Sequence, residues 1–166
     1  ADAACDMVII IPTSQKLLEQ ARRLAAFHER HDGLRVRIVP ADELLNEFSS
    51  GTPDANAYRR YLKMLYDRAE KAEDLPRYLL LFGDCAWDNR MNTAHWAAAK
   101  PEDYLLCYES ENSFNKVSCY VDDGFFCLLD DGEGGDLQQT DKQDVAVGRF
   151  PVVDPDDAKT DRKSVV

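Results

Sequence analysis

The chain has 166 residues, 45% hydrophobic and 31% charged, which is one domain's worth of ordinary globular sequence and excludes wholesale disorder and collagen-like repeats. Twenty lysines and arginines against thirty-one aspartates and glutamates leave a formal charge of −11 at pH 7. Such a surface repels nucleic acid and anionic membranes and attracts cations or basic partners.

Met7-Val8-Ile9-Ile10-Ile11, ended by Pro12, is a continuous β-branched run and predicts a strand buried on both faces. A helix follows, with Thr13 or Ser14 as its cap and Leu17, Leu18, Ala21, Leu24, Ala25 and His28 as its apolar stripe; Gly33 stops it. His28 is expected to face the core and His31 the solvent. Leu34 to Val39 alternates with Arg35 and Arg37, as a strand nearer the sheet edge does. Ala41 to Phe48 reads as a short helix, and Asp54 caps a longer one with Tyr58, Tyr61, Leu62, Leu65, Tyr66 and Ala69 on one face. Arg77 to Gly83 then holds a second fully buried strand. Alternation of strand and helix at this spacing predicts a doubly wound α/β fold with a mostly parallel sheet flanked by helices.

The second half is less regular. Residues 84 to 103 form a long loop with Trp87, Asn89, Arg90, His95 and Trp96. Short strands are expected near Tyr104–Tyr108, Val117–Val121 and Phe125–Leu129, making a small β-rich second part. Asp130 to Gln143 is an acidic, glycine-rich excursion, Asp144 to Arg149 a further strand, and Pro155 starts a last helix. No apolar run approaches the roughly 20 residues that span a bilayer. Ala1 to Asp6 lacks the basic start and apolar stretch of a signal peptide.

Three sets of residues bear on chemistry. Asp84 and Cys85 sit just past a strand end, where open parallel sheets collect ligands. Cys85 reads either as a nucleophile activated by His95 or as a half-buried cysteine with no chemical role. The five cysteines (Cys5, Cys85, Cys107, Cys119, Cys127) contain no CxxC pair, which argues against zinc ribbons and thioredoxin-like redox motifs. Asp130 and Asp131 follow one predicted strand and Asp144 precedes another. If these ends share an edge with Asp84, the carboxylates and loop carbonyls suit a hard cation such as calcium; otherwise they are solvated surface. A receiver-type phosphoacceptor at Asp84 is disfavoured because Ile11-Pro12-Thr13-Ser14 supplies no acids for magnesium. A dinucleotide site is disfavoured because no Gly-x-Gly-x-x-Gly follows the first strand.

Several stretches, in order and spanning nearly the whole chain, carry a family resemblance. They are Asn46 to Asp54; Tyr78 to Asp84 with Trp87-Asp88-Asn89-Arg90; Tyr108 to Ser113; Asp122-Asp123 with Leu128-Leu129-Asp130-Asp131; and Asp144 to Val152. Together they resemble the gingipain-type cysteine peptidases, above all the large sortase-like members that serve the type IX secretion system. The resemblance implies a caspase-like fold of two subdomains, with residues 1–166 as the first. It also implies a catalytic cysteine and a histidine in a Gly-His-Gly context, both in the second subdomain; neither motif occurs here. The segment alone is therefore expected to be inactive, a scaffold for the remainder of its own peptidase domain and its peptide substrates. An exported protein at the cell surface, in the outer membrane or outside the cell is implied as well. The resemblance further implies a calcium (Ca2+) site on Asp84 and Asp144, with the Leu129 carbonyl and Asp130 or Asp131 from the intervening loop. A sheet lacking its second half exposes an edge, so dimerisation through that edge is expected. The alternative is a non-catalytic caspase-like interaction module that binds calcium.

Overall fold

A computed structural model of the chain describes residues 4–109, 120–134 and 141–161. Its centre is a parallel sheet of β1 (Met7–Ile11), β2 (Val36–Pro40), β3 (Tyr78–Phe82) and β4 (Ala146–Phe150), in spatial order β2-β1-β3-β4. Met7 pairs with Val36 on one side and Tyr78 on the other, and Tyr78 pairs with Ala146. The helices are α1 (Leu18–His31), α2 (Ala41–Ser49), α3 (Asn56–Asp67) and α4 (Pro155–Asp161).

Strand periodicity sorts β1 between two cores. Met7, Ile9 and Ile11 join Leu80, Phe82, Ala21 and Ala25 of α1 and Ala158 of α4. Val8 and Ile10 join Leu79, Leu81, Leu44 of α2 and Tyr58, Leu62 and Leu65 of α3. Every β1 side chain is buried, as a sheet covered on both faces requires. The α1 crossover lies on one face and the α2–α3 crossover on the other. The fold is doubly wound, in the α/β class expected.

Four local expectations are corrected. Phe125–Leu129 is not a strand: residues Asp123–Cys127 form a 3-10 turn, started by the Asp122 carboxylate accepting from Gly124 N at 2.8 Å. A short apolar run suits a buried turn as well as a strand, and Phe126 packs on Tyr58 of α3. Tyr104–Tyr108 forms one isolated bridge rather than a strand, Leu105 with Cys85, and a second bridge, Glu109 with Val121, lies just past it. Most of the third stretch, Val117–Val121, lies outside the described residues, as does Cys119. Neither Thr13 nor Ser14 caps α1; a turn intervenes, with Gln15 N donating to Pro12 O, and Leu17 holds the cap position. His28 is only partly buried, its Nδ1 2.6 Å from Asp32 Oδ2, while His31 is exposed as expected. Gly33 follows α1 at φ +67°, and Asp54 Oδ1 accepts from Asn56 N at 2.9 Å at the start of α3.

Candidate functional site

In the order β2-β1-β3 the chain reverses direction across the sheet between β1 and β3, where such folds leave a crevice at the carboxyl ends. Here that crevice is filled. Gly83 packs so closely that a Cβ on it would lie 2.8 Å from Pro12 Cγ and 3.2 Å from Leu105 Cγ. The backbone closes the same gap: Ser14 N donates to Glu102 O at 2.8 Å and Leu105 N to Asp84 O at 2.9 Å. Lys16 pairs with the buried Asp103 across it. Open space lies instead on the α1 face, in a cavity of about 300 Å³ lined by Gln20, Arg23, Leu24, Phe82, Phe150, Ala158 and Lys159.

The polar groups past β3 and β4 form one connected cluster. Arg149 Nε and Nη2 donate to the two oxygens of Asp123 at 2.8 and 2.6 Å, and Nη1 donates to Gly83 O at 3.2 Å. Tyr58 Oη, fully buried, accepts from Leu106 N at 3.2 Å, and burial pushes its phenol up to about 12. The Asn89 amide clamps Cys107, accepting from its N–H at 2.9 Å and donating to its carbonyl at 2.8 Å. The hydrogen bond from Cys107 holds Cys85 below the ordinary cysteine value against the effect of burial, with Arg149 adding its positive charge. Cys107 is pushed up by the same contact and by burial.

This is not the company a cysteine nucleophile needs. A histidine within hydrogen-bond reach is the usual activator, yet His95 sets its ring edge-on to Trp96, 5.2 Å between centroids. His28 and His31 both bond Asp32 at the end of α1.

The predicted calcium ligands divide between opposite ends of the sheet. β3 and β4 run parallel, with Tyr78 opposite Ala146 and Phe82 opposite Phe150. Asp144 thus lies before the amino end of the pair and Asp84 beyond its carboxyl end. At about 3.3 Å per residue they stand on the order of 20 Å apart, whereas calcium ligands sit at about 2.4 Å from the ion. Asp84 Oδ1 accepts from the next residue's own N–H, Cys85 N, at 2.8 Å. At the other end, Asp144 Oδ2 accepts from Leu129 N at 2.7 Å and Asp130 Oδ1 from Tyr66 Oη at 2.9 Å. Asp131 pairs with Lys63 Nζ at 2.9 Å. Leu129, Asp130 and Asp144 come together; Asp84 does not join them, so the five do not fit one ion. Among the described residues, no three His, Cys, Asp or Glu side chains form a metal cluster.

The model of Peptidase family C25 matches residues 1–161. The chain belongs to peptidase family C25. This is the gingipain family that the sequence resembles. Among solved structures, the crystal structure of dimeric latent PorU from Porphyromonas gingivalis is similar at 38% identity and a TM-score of 0.79. That match covers 96% of this chain and 15% of PorU, so this C25 chain spans a small part of that relative's length. Comparison with curated proteins gives no significant match.

Sequence reasoning left the cluster at the carboxyl end largely unseen. It singled out Asp84 and Cys85, but not the clamp of Asn89 on Cys107 or the pairing of Arg149 with Asp123. One signal was present: Arg149 is a charge near the end of a strand that enters a covered sheet, and such a charge needs a buried partner.

Proposed function

We propose that this C25 chain is the first subdomain of an exported gingipain-like cysteine peptidase or sortase, and that it scaffolds a Cys–His dyad carried outside residues 1–166. The observation that carries this reading is the company of Cys85. Among the described residues no histidine hydrogen-bonds its thiol: His95 packs edge-on to Trp96, and His28 and His31 bond Asp32, within a chain whose family is peptidase. In the complete enzyme the dyad thiolate attacks a peptide carbonyl, the histidine moves the proton, and backbone donors hold the oxyanion. Hydrolysis of the acyl-enzyme makes a peptidase, and its capture by an amine makes a transpeptidase. The remainder of the domain docks along β4, which among the described residues pairs only with β3. Left uncovered, that edge is also where two copies of this chain pair. No described helix is long and apolar enough to cross a membrane.

Incubation of the chain with a mixed peptide library under reducing conditions tests the scaffold role. No thiol-dependent cleavage is expected, with Cys85→Ala behaving like the parent. Turnover that disappears in Cys85→Ala would overturn the reading. Sequencing the reading frame past Val166 tests the dyad's place: a Gly-His-Gly strand end and a later cysteine support it, and an unrelated domain refutes it.

A further inference from the structure

We propose that the cavity on the α1 face binds a small apolar monocarboxylate, with its tail among Leu24, Phe82 and Phe150 and its carboxylate on Arg23 and Lys159. The cavity follows from small residues on that face of the sheet. Gly148 pairs with Leu80 and Phe150 with Phe82, so Ala146, Gly148 and Phe150 share the α1 face of β4. Ala146 and Gly148 are exposed, and a Cβ on Gly148 would meet nothing within 4 Å. Ala158 of α4 adds only a methyl group to the lining. The rings of Phe82 and Phe150 lie tilted with centroids 5.5 Å apart, and Leu24 of α1 completes the apolar wall. The resulting 300 Å³ is at the small end of ligand cavities, room for one short tail rather than a folded segment.

The charges of the lining set the head group. Apart from the Gln20 amide, its polar side chains are Arg23 and Lys159, and no carboxylate lines the cavity, in a chain whose formal charge is −11. Both cations are more than half exposed and so stand at the mouth. Each holds one acid: Arg23 Nε donates to Glu19 at 3.2 Å and Lys159 Nζ to Asp156 at 2.7 Å. Those bonds use one N–H of each, whereas a guanidinium carries five and an ammonium three. A ligand carboxylate takes the Nη edge of Arg23 as a fork, with the Lys159 ammonium beside it. The tail gains by leaving water in proportion to its apolar area. A cationic head would meet two like charges at the mouth, and a second carboxylate on the tail would be stripped of water against Phe82 and Phe150. One charge at one end is the pattern that fits.

The inference does not rest on the peptidase reading, because its test reads binding rather than cleavage. The chain is titrated calorimetrically at low salt with octanoate, 1-octanol and octylammonium, which share a tail and differ in the head. Octanoate is expected to bind one per chain and about tenfold more tightly than 1-octanol, with octylammonium weakest. Arg23→Gln changes an exposed side chain, so its melting temperature should match the parent while octanoate weakens about tenfold and 1-octanol does not. Leu24→Trp fills the cavity and should abolish binding of both. Absence of binding, or equal binding of octanoate and 1-octanol by the parent, would overturn the proposal. A preference for the acid that survives Arg23→Gln/Lys159→Gln would do the same, as would full binding by a folded Leu24→Trp chain. A tripeptide ending in phenylalanine that binds more tightly than octanoate would replace the small acid with a peptide end.

Discussion

Arg149 projects from β4 with its side chain 10% exposed, and its guanidinium takes both oxygens of Asp123, itself 22% exposed. Fork-to-fork pairs of this kind are among the stronger charge-assisted hydrogen bonds. Their value to folding is uneven, because a buried pair gains little over apolar packing while a broken one leaves a charge without a partner. Truncating one side of a buried pair costs about 3–5 kcal/mol. Arg149→Ala is therefore expected to destabilise the chain by an amount in that range, since it strands Asp123 and frees Gly83 O. The double variant Arg149→Ala/Asp123→Ala should be more stable than Arg149→Ala alone, because the orphaned carboxylate is gone. Urea unfolding of the three variants decides it, and a double variant no better than the single would show that the penalty is lost packing instead. Lysine at 149 should rescue only in part, since it keeps the charge and loses the fork.

The elements were legible where burial alone dictates them. The run Met7–Ile11 admits little but a central strand, and α3 follows from Tyr58, Tyr61, Leu62 and Leu65 recurring on one face. Legibility failed where a contact distant in sequence decides the local structure. The Phe125–Leu129 stretch is held as a turn by α3 packed upon it and by the Asp122 cap, and neither shows in an apolar count. The acidic set failed for a topological reason. Asp84 and Asp144 each flank a strand, but parallel pairing sends one flank to each end of the sheet. Parallel pairing also brings the amino ends of β1, β2 and β3 together, and Asp6 ties them. Its carboxylate accepts from Arg35 N at 2.8 Å, Nε at 2.9 Å and Nη2 at 3.1 Å, and it pairs with Arg77 at 3.2 Å. The Arg35 hydrogen bonds hold its pKa down at about 2, against an ordinary value of 3.8. A carboxylate lowered on folding stabilises fully above its unfolded pKa and loses that contribution as pH falls through its folded one. Parent and Asp6→Asn melting temperatures should therefore differ most above pH 5 and converge as the pH falls toward 2. A gap that stays constant from pH 7 to pH 2 would remove Asp6 from the acid sensitivity of the fold.

Over the whole molecule, the charge of −11 acts against compactness, because like charges spread over one small surface repel. Salt screens that repulsion, and it also screens the ion pairs that hold the surface together, so the sign of its effect rests on which is larger. Many of the surface pairs are weak. Arg23–Glu19, Lys63–Asp131 and Lys159–Asp156 each have a partner more than half exposed. Exposed pairs contribute about 0–1 kcal/mol each. The stronger pairs, Arg149–Asp123 and Asp6–Arg35, each keep one side chain at or below a tenth exposed, where screening is least. The net repulsion is thus the larger quantity that salt removes. The melting temperature is expected to rise as sodium chloride goes from about 10 to about 300 mM, with the Debye length shrinking from about 30 Å to under 8 Å. Calcium chloride at matched ionic strength should act as a screening salt and no more, because Asp84 stands at the opposite end of the sheet from Leu129, Asp130 and Asp144. Differential scanning fluorimetry across the two titrations separates the cases. A fall with sodium chloride would mean that the surface pairs outweigh the net charge. A saturable extra rise with calcium would mean that one end of the sheet builds an ion site by itself, and Asp144→Asn against Asp84→Asn would show which.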